Sequence, residues 1–192
     1  MSIVKTGTRE KIIKLATGLI ETSGYSGFSY QDIAAKLKIK KASIHYHFPS
    51  KEDLGLAVFD AFTKGIDDHI QQRDFEKISP TKKLIGYFTY HEEVTLDCNQ
   101  ISCVGAITSE WNVLPKKMRE RVDKFNAWHV GFISAILKEG VAKGEFCRIG
   151  SLEEKAMFII AATKGALLMA RERDSIEIYH SITRQLMEGL KC

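Results

Sequence analysis

KKASIHYHFPSKEDL, residues Lys40–Leu54, crowds Ser43, His45, Tyr46 and His47 into about two helical turns and follows them with a proline and a capping signal. Three uses compete for such a stretch: a metal site, a catalytic site and a surface that reads nucleic acid. At about 100° per residue, Ile44 and Phe48 fall on one side of a helix, Ala42, Ser43 and Tyr46 fall opposite, and Lys41, His45 and His47 flank that outer face. A short helix with an apolar inner edge and a small polar outer edge suits the second helix of a helix-turn-helix, whose N-terminal residues meet base edges in the major groove. The Ala42 methyl can touch a thymine methyl, and Ser43 can donate or accept at either base pair. Lys41, Tyr46, His47 and Lys51 suit phosphate oxygens. Pro49 disfavours helical geometry at Phe48 and ends the segment there.

The rival uses fare worse. His45 and His47 are two residues apart and point about 200° away from each other on a helix. No Cys, Asp or Glu is spaced to complete a metal set with them. Ser43 has no local base and orienting carboxylate, so a nucleophile triad is not expected. "HEE" at His91–Glu93 lacks the second histidine of a metalloprotease helix. No catalytic residue, metal or cofactor is expected.

Charge sharpens the choice. The 192-residue chain carries a net +4. Residues 1–51 hold nine Lys or Arg against three acids, a balance of +6, and the remainder holds 19 against 21, a balance of −2. A basic first quarter favours a polyanionic partner. A hydrophobic fraction of 44% can bury a real core. No apolar run approaches the roughly 18 residues of a membrane span. No signal-peptide pattern is present, so no membrane association and a cytoplasmic location are expected. Cys98, Cys103, Cys147 and Cys192 lie far apart and are expected as reduced thiols.

Apolar residues recur at three- and four-residue spacing throughout, which predicts an all-α chain. A first helix is expected from Thr8, with Ile12, Leu15, Ala16 and Leu19 inward and Gly24 at its left-handed stop. Ser29 with Asp32, and Ser50 with Asp53, are capping signals for a second and a fourth helix, the fourth running towards about residue 74. Pro80 and Pro115 open longer helices, and Gly144 stops the latter. "SLEE" (Ser151–Glu154) and "DSIE" (Asp174–Glu177) open the last two.

The run SGYSGFSYQDIAAKLKIKKASIHYHFPSKEDL, with the residues just before it, resembles the tetracycline-repressor (TetR) family of transcriptional regulators. The resemblance covers about residues 8–54. It implies an N-terminal three-helix DNA-binding domain (1–50) with a helix-turn-helix, then a larger helical ligand-binding and dimerisation domain (51–192). Family DNA contacts map onto Ser29, Tyr30, Lys41, Ala42, Ser43, Tyr46, His47 and Lys51, and His45 takes the place of the usual first tyrosine of the family's "YHHF". Lys38 and Ala42 stand where relatives often carry glycine. Dimerisation through the last two helices is also implied. Small residues from Ala156 to Ala170 permit the close helix approach this needs, although they also suit ordinary packing within the chain.

Tyr87, Phe88, His91, Trp111, Phe125, Trp128, His129 and Phe132 fall on the central helices and could enclose an apolar, aromatic or planar effector. The chain is therefore expected to be a homodimeric repressor, released from a palindromic double-stranded DNA operator by a small molecule. Two alternatives stand beside it. One is a regulator switched by oxidation or electrophiles at Cys98 or Cys103, although the local sequence offers no base to lower a thiol pKa. The other is a helical-bundle enzyme with an incidental basic region.

Overall fold

The computed structural model describes residues 7–72, 75–96, 103–147 and 150–191, and the described residues contain helices and no strand. In chain order the helices are α1 (Thr8–Ser23), α2 (Tyr30–Leu37), α3 (Lys41–His47), α4 (Lys51–Gln72), α5 (Pro80–Leu96) and α6 (Cys103–Ser109). A 3-10 turn (Trp111–Val113) follows, then α7 (Lys116–Ala142), α8 (Leu152–Glu172) and α9 (Ile176–Glu188). None is long and apolar enough to cross a membrane.

Contacts group the chain into two compact units. Met1–Asp68 with Cys103–Val122 form one, and His69–Ser102 with Asp123–Cys192 form the other. This grouping differs from a simple division at residue 50, because α6 and the start of α7 return to the N-terminal helices.

In the first unit α1 buries Ile12, Ala16, Leu19 and Ile20. Leu15, expected in that stripe, is only half-buried, and Ile20 takes its share. Gly7 rather than Thr8 is the N-cap of α1. Gly24 closes it with φ 79° and ψ 168°, a positive φ but not the left-handed helical well. A side chain there would also displace the Glu110 carboxylate. α2 ends in a Schellman motif: Ile39 N–H donates to Ala34 O (3.1 Å) and Lys38 N–H to Ala35 O (3.3 Å). The left-handed residue of that motif is Lys38, at φ 55° and ψ 42°. A non-glycine residue there costs about 1–2 kcal/mol. α3 ends at His47, with Phe48 extended before Pro49 as expected.

In the second unit α8 and α9 pack on each other and α5 packs on α8. Leu84, Ile133, Leu137, Ala156 and Ile159 form the centre of its core. Tyr179 on α9 is buried, and its hydroxyl donates to Phe88 O at 2.7 Å. Ser151 caps α8 by accepting from the Glu154 N–H at 3.2 Å. "DSIE" divides differently from expectation. Asp174, at φ 49°, is the left-handed residue that closes α8, with Ser175 N–H donating to Ala170 O, and Ser175 is the N-cap of α9. Aspartate tolerates the left-handed well better than most residues, so it serves the preceding helix.

Cys103 is a free, buried thiol, whereas Cys147 is disulfide-bonded, so the expectation of four reduced thiols is corrected at Cys147. Cys147 N–H donates to Leu190 O at 2.8 Å, a closeness in space that separation in sequence hides.

Candidate nucleic-acid interface and effector cluster

α3 is anchored from below. Ile44 is fully buried and Phe48 is 2% exposed. The Arg9 guanidinium sits 5.2 Å from the centre of the Phe48 ring. Above this anchor Lys41, Ala42, His45 and Tyr46 are exposed, and Ser43 and His47 are half-buried. Tyr46 keeps 84% of its surface, far more than its packing requires, and its ring meets His47 edge-on at 5.1 Å. Lys36, Lys38 and Lys40 are also exposed around the α2–α3 turn. The helix thus offers a small, polar, positively fringed outer face of the kind the sequence predicts.

Ser29 caps α2: its N–H and its hydroxyl both reach Asp32 Oδ2 at 2.8 Å, which holds the Asp32 carboxyl below the usual carboxylate range. Ser50 and Asp53 repeat the arrangement at α4, with contacts of 2.7–3.1 Å.

Two expected DNA contacts are placed differently. Tyr30 is buried, and its hydroxyl donates into the carbonyls of Phe48 (2.9 Å) and Ser50 (2.6 Å). It ties the end of α3 to the start of α4, and burial pushes the hydroxyl up to about 12. His45 packs edge-on against it at 4.8 Å. Lys51 turns inward as well. Its ammonium donates to Phe28 O and, at 3.5 Å, to Ser26 O, and it lies 4.3 Å from the Phe28 ring centre. Burial holds it below the ordinary lysine value against the opposing pull of Glu110 and Asp32. Both polar ends bind backbone carbonyls of this unit, which a helical wheel cannot show.

Glu110 completes the network. Both of its carboxylate oxygens accept from Ser26 N–H, at 3.2 and 3.0 Å. Sequence reading missed this residue and the short helix α6 before it. Arg9 was also missed, although a basic residue in the first turn of a helix is unfavourable to the dipole and signals an outside partner.

The ring residues expected around an effector separate by unit. Trp111 belongs to the first unit. Tyr87, Phe88, His91, Phe125, Trp128, His129 and Phe132 all fall in the second. Tyr87 lies 4.6 Å from His91 and 5.5 Å from His129, ring centre to ring centre. Trp128 stacks on Phe132 at 5.5 Å and 15°. Phe88 turns mostly into the core. Burial pushes His91 down to about 3, with the neighbouring His129 and Lys164 adding to the effect. Burial and then Lys164 push His129 down to about 4. Both imidazoles are neutral near pH 7. The Tyr87 hydroxyl and His129 Nδ1 are buried and make no hydrogen bond of good geometry. The Thr163 hydroxyl lies beside Tyr87 and bears on it; it donates to Ile159 O at 2.8 Å and its oxygen can still accept.

Among the described residues no cluster of His, Cys, Asp or Glu could hold a metal ion. Cys103 is fully buried in α6, and burial followed by the Glu21 charge pushes its thiol up to about 12, the wrong direction for a reactive sensor. Cys98 lies outside the described residues.

The comparisons agree with the head's geometry. Residues 12–58 match the pattern of bacterial regulatory proteins of the tetR family. The HTH-type transcriptional repressor DhaR of Mycobacterium sp. strain GP1 is 29% identical, over 94% of this chain and 92% of its own. A TetR-family transcriptional regulator from Agrobacterium tumefaciens superposes with a TM-score of 0.89 at 29% identity, covering 96% of this chain and 97% of that one. A TetR regulator from Legionella pneumophila gives 0.89 at 29%, covering 98% and 100%. Over nearly its whole length the chain is similar to TetR-family regulators, and residues 12–58 carry that family's pattern. The chain is a DNA-binding transcriptional regulator with the all-α, helix-turn-helix architecture of these proteins.

Proposed function

We propose that this TetR-family regulator is a homodimeric repressor of the cytoplasm that grips an inverted-repeat operator and releases it when a small molecule enters the second unit. The observation that carries the DNA reading is the outer face of α3: Ala42, Ser43 and Tyr46 stand on an anchor of Ile44 and Phe48 amid exposed lysines. In a dimer, two such helices meet successive major grooves about 34 Å apart. Repression is supported by the mycobacterial relative, a repressor by name.

Dimerisation is supported by α8, where Met157, Phe158, Leu168 and Met169 expose 46–55% of their surface on one side. Much of the small-residue stripe points inward instead, with Ala156, Ala166 and Ala170 buried. Large apolar side chains rather than alanines therefore form the proposed dimer face, alongside a groove lined by Ala162, Ile182 and Leu186. The effector reading rests on the ring cluster around Tyr87 and His129. A ligand releases DNA only by binding the DNA-incompetent state better.

The test is fluorescence anisotropy on the DNA flanking the coding sequence and on a scrambled duplex, across several salt concentrations. Lys41→Ala should weaken both duplexes and reduce the salt slope by about one unit. Ala42→Val should cost about 1–3 kcal/mol on the specific duplex and much less on the scrambled one. Equal losses on both duplexes for both variants would mean that α3 holds the backbone without reading bases.

A further inference from the structure

The ring cluster brings together a tyrosine hydroxyl, two neutral imidazoles and an ammonium. Tyr87 Oη and His129 Nδ1 are buried with no hydrogen bond of good geometry, although the Thr163 hydroxyl lies beside Tyr87. His129 and Lys164 both act against a positive charge on His91, and Lys164 acts against one on His129. Lys164, on α8, is itself largely withdrawn from water, and burial holds its ammonium below the ordinary lysine value. Glu92, one residue along α5 from His91, is engaged by His180 Nε2 at 3.0 Å. A half-buried ammonium beside two neutral imidazoles and a tyrosine has no counter-charge from them, and withdrawing it from water makes an uncompensated charge costly. Flat walls adjoin it: His91 lies nearly parallel to His129 at 6.1 Å, and Trp128 continues the stack at 6.3 Å from His129.

We propose that this cluster binds a planar aromatic acid, with its ring among His91, Trp128 and Phe132 and its carboxylate on Lys164, accepting also from Tyr87 Oη and His129 Nδ1–H. A neutral carbonyl compound could take the two hydrogen bonds but would leave the ammonium without a counter-charge. An aliphatic acid would satisfy the ammonium and leave the ring walls unused. Because His129 is neutral, a single proton sits on one of its two nitrogens, and a ligand oxygen at Nδ1 fixes it there. The inference rests on reading this cluster as the effector site.

The experiment uses the full chain and two probes with the same rings, sodium 2-naphthoate and 2-naphthamide. Titration calorimetry should show naphthoate binding at least about tenfold more tightly than the amide, the usual difference made by a charged hydrogen-bond partner. Lys164→Met should remove that preference while leaving amide binding unchanged, and Lys164→Arg should restore it. A circular dichroism melt confirms that each variant is folded. Equal binding of the two probes, a preference that survives Lys164→Met, or binding of neither probe overturns the proposal. Anisotropy on the flanking DNA, read in the same titrations, separates the two claims. A charge preference without DNA release keeps the acid site and removes the effector reading. DNA release by both probes alike keeps the effector reading and overturns the acid.

Discussion

Tyr30 and Tyr87 are equally hidden, each 7% exposed, yet their hydroxyls are treated in opposite ways. Tyr30 donates into two backbone carbonyls of its own unit. Tyr87 finds no partner of good geometry in the second unit. The same contrast holds for lysine. Lys51 is folded onto the carbonyls of Ser26 and Phe28, whereas Lys164 lies half-buried beside two neutral imidazoles. The DNA-reading head spends its polar groups on holding its shape and leaves the outer face of α3 for a partner. The ring cluster leaves polar groups uncommitted inside. A buried group with built-in partners fixes geometry, and one without them is disposed to receive something from outside.

The contrast can be broken most forcefully at the anchor. Ile44→Ala deletes a fully buried side chain and should cost about 2–5 kcal/mol, measured by urea unfolding, with loss of DNA binding. An intact melt in that variant would mean that α3 is not held from below.

Acid should act mainly through the second unit. His91 and His129 have folded values of about 3 and about 4, below the ordinary 6.5. Their stabilising contribution is complete above pH 6.5. It is lost as the pH falls from there through 4 and 3, because the unfolded chain takes up protons that the folded chain refuses. The melting temperature should therefore fall steadily below pH 6.5, and His91→Leu with His129→Phe should flatten that fall. An unchanged slope would show that these imidazoles titrate normally.

The tyrosine pair gives a finer test. Tyr30→Phe strands two carbonyls and should destabilise by about 1–2 kcal/mol. Tyr87→Phe removes a hydroxyl that makes no hydrogen bond of good geometry and should fall within about 0.5 kcal/mol of the parent. Similar losses in chemical denaturation would erase the distinction between the two regions. A small effect of the opposite sign is expected at Lys38. Lys38→Gly relieves the left-handed residue at a cost in unfolded-chain entropy, for a net gain of about 0.5–1 kcal/mol. A loss of stability there would mean that the lysine side chain makes a contact worth more than the strain.

The head was largely legible because its signals are local. Two capping boxes, a proline after α3 and an Ile44–Phe48 pair one turn apart place the helices without reference to the rest of the chain. The direction of Tyr30 and Lys51 was not legible, since a polar residue near a helix start reads as surface unless its distant acceptors are known. CVGAITS, the seven residues of α6, is too short for periodicity to show. In the second unit the rings were visible in the sequence, but Lys164 sits among small residues and gives no sign of the histidines it influences. Trp111 looked like one more ring of that set and belongs instead to the first unit. The alanines of α8 permit close approach from either side, and only the folded helix shows which side is filled.

The bond from Ser26 N–H to Glu110 joins residues 84 positions apart, and it has a consequence for timing. A ribosome adding roughly 5–20 residues per second takes roughly 4–17 s to pass from one to the other. In the course of that interval the nascent chain gains α2 and α3 while it still lacks the carboxylate that secures the turn between α1 and α2. The reading head matures only after α6 has left the exit tunnel, so a message truncated before residue 110 would yield helices of the right sequence with an unfastened turn.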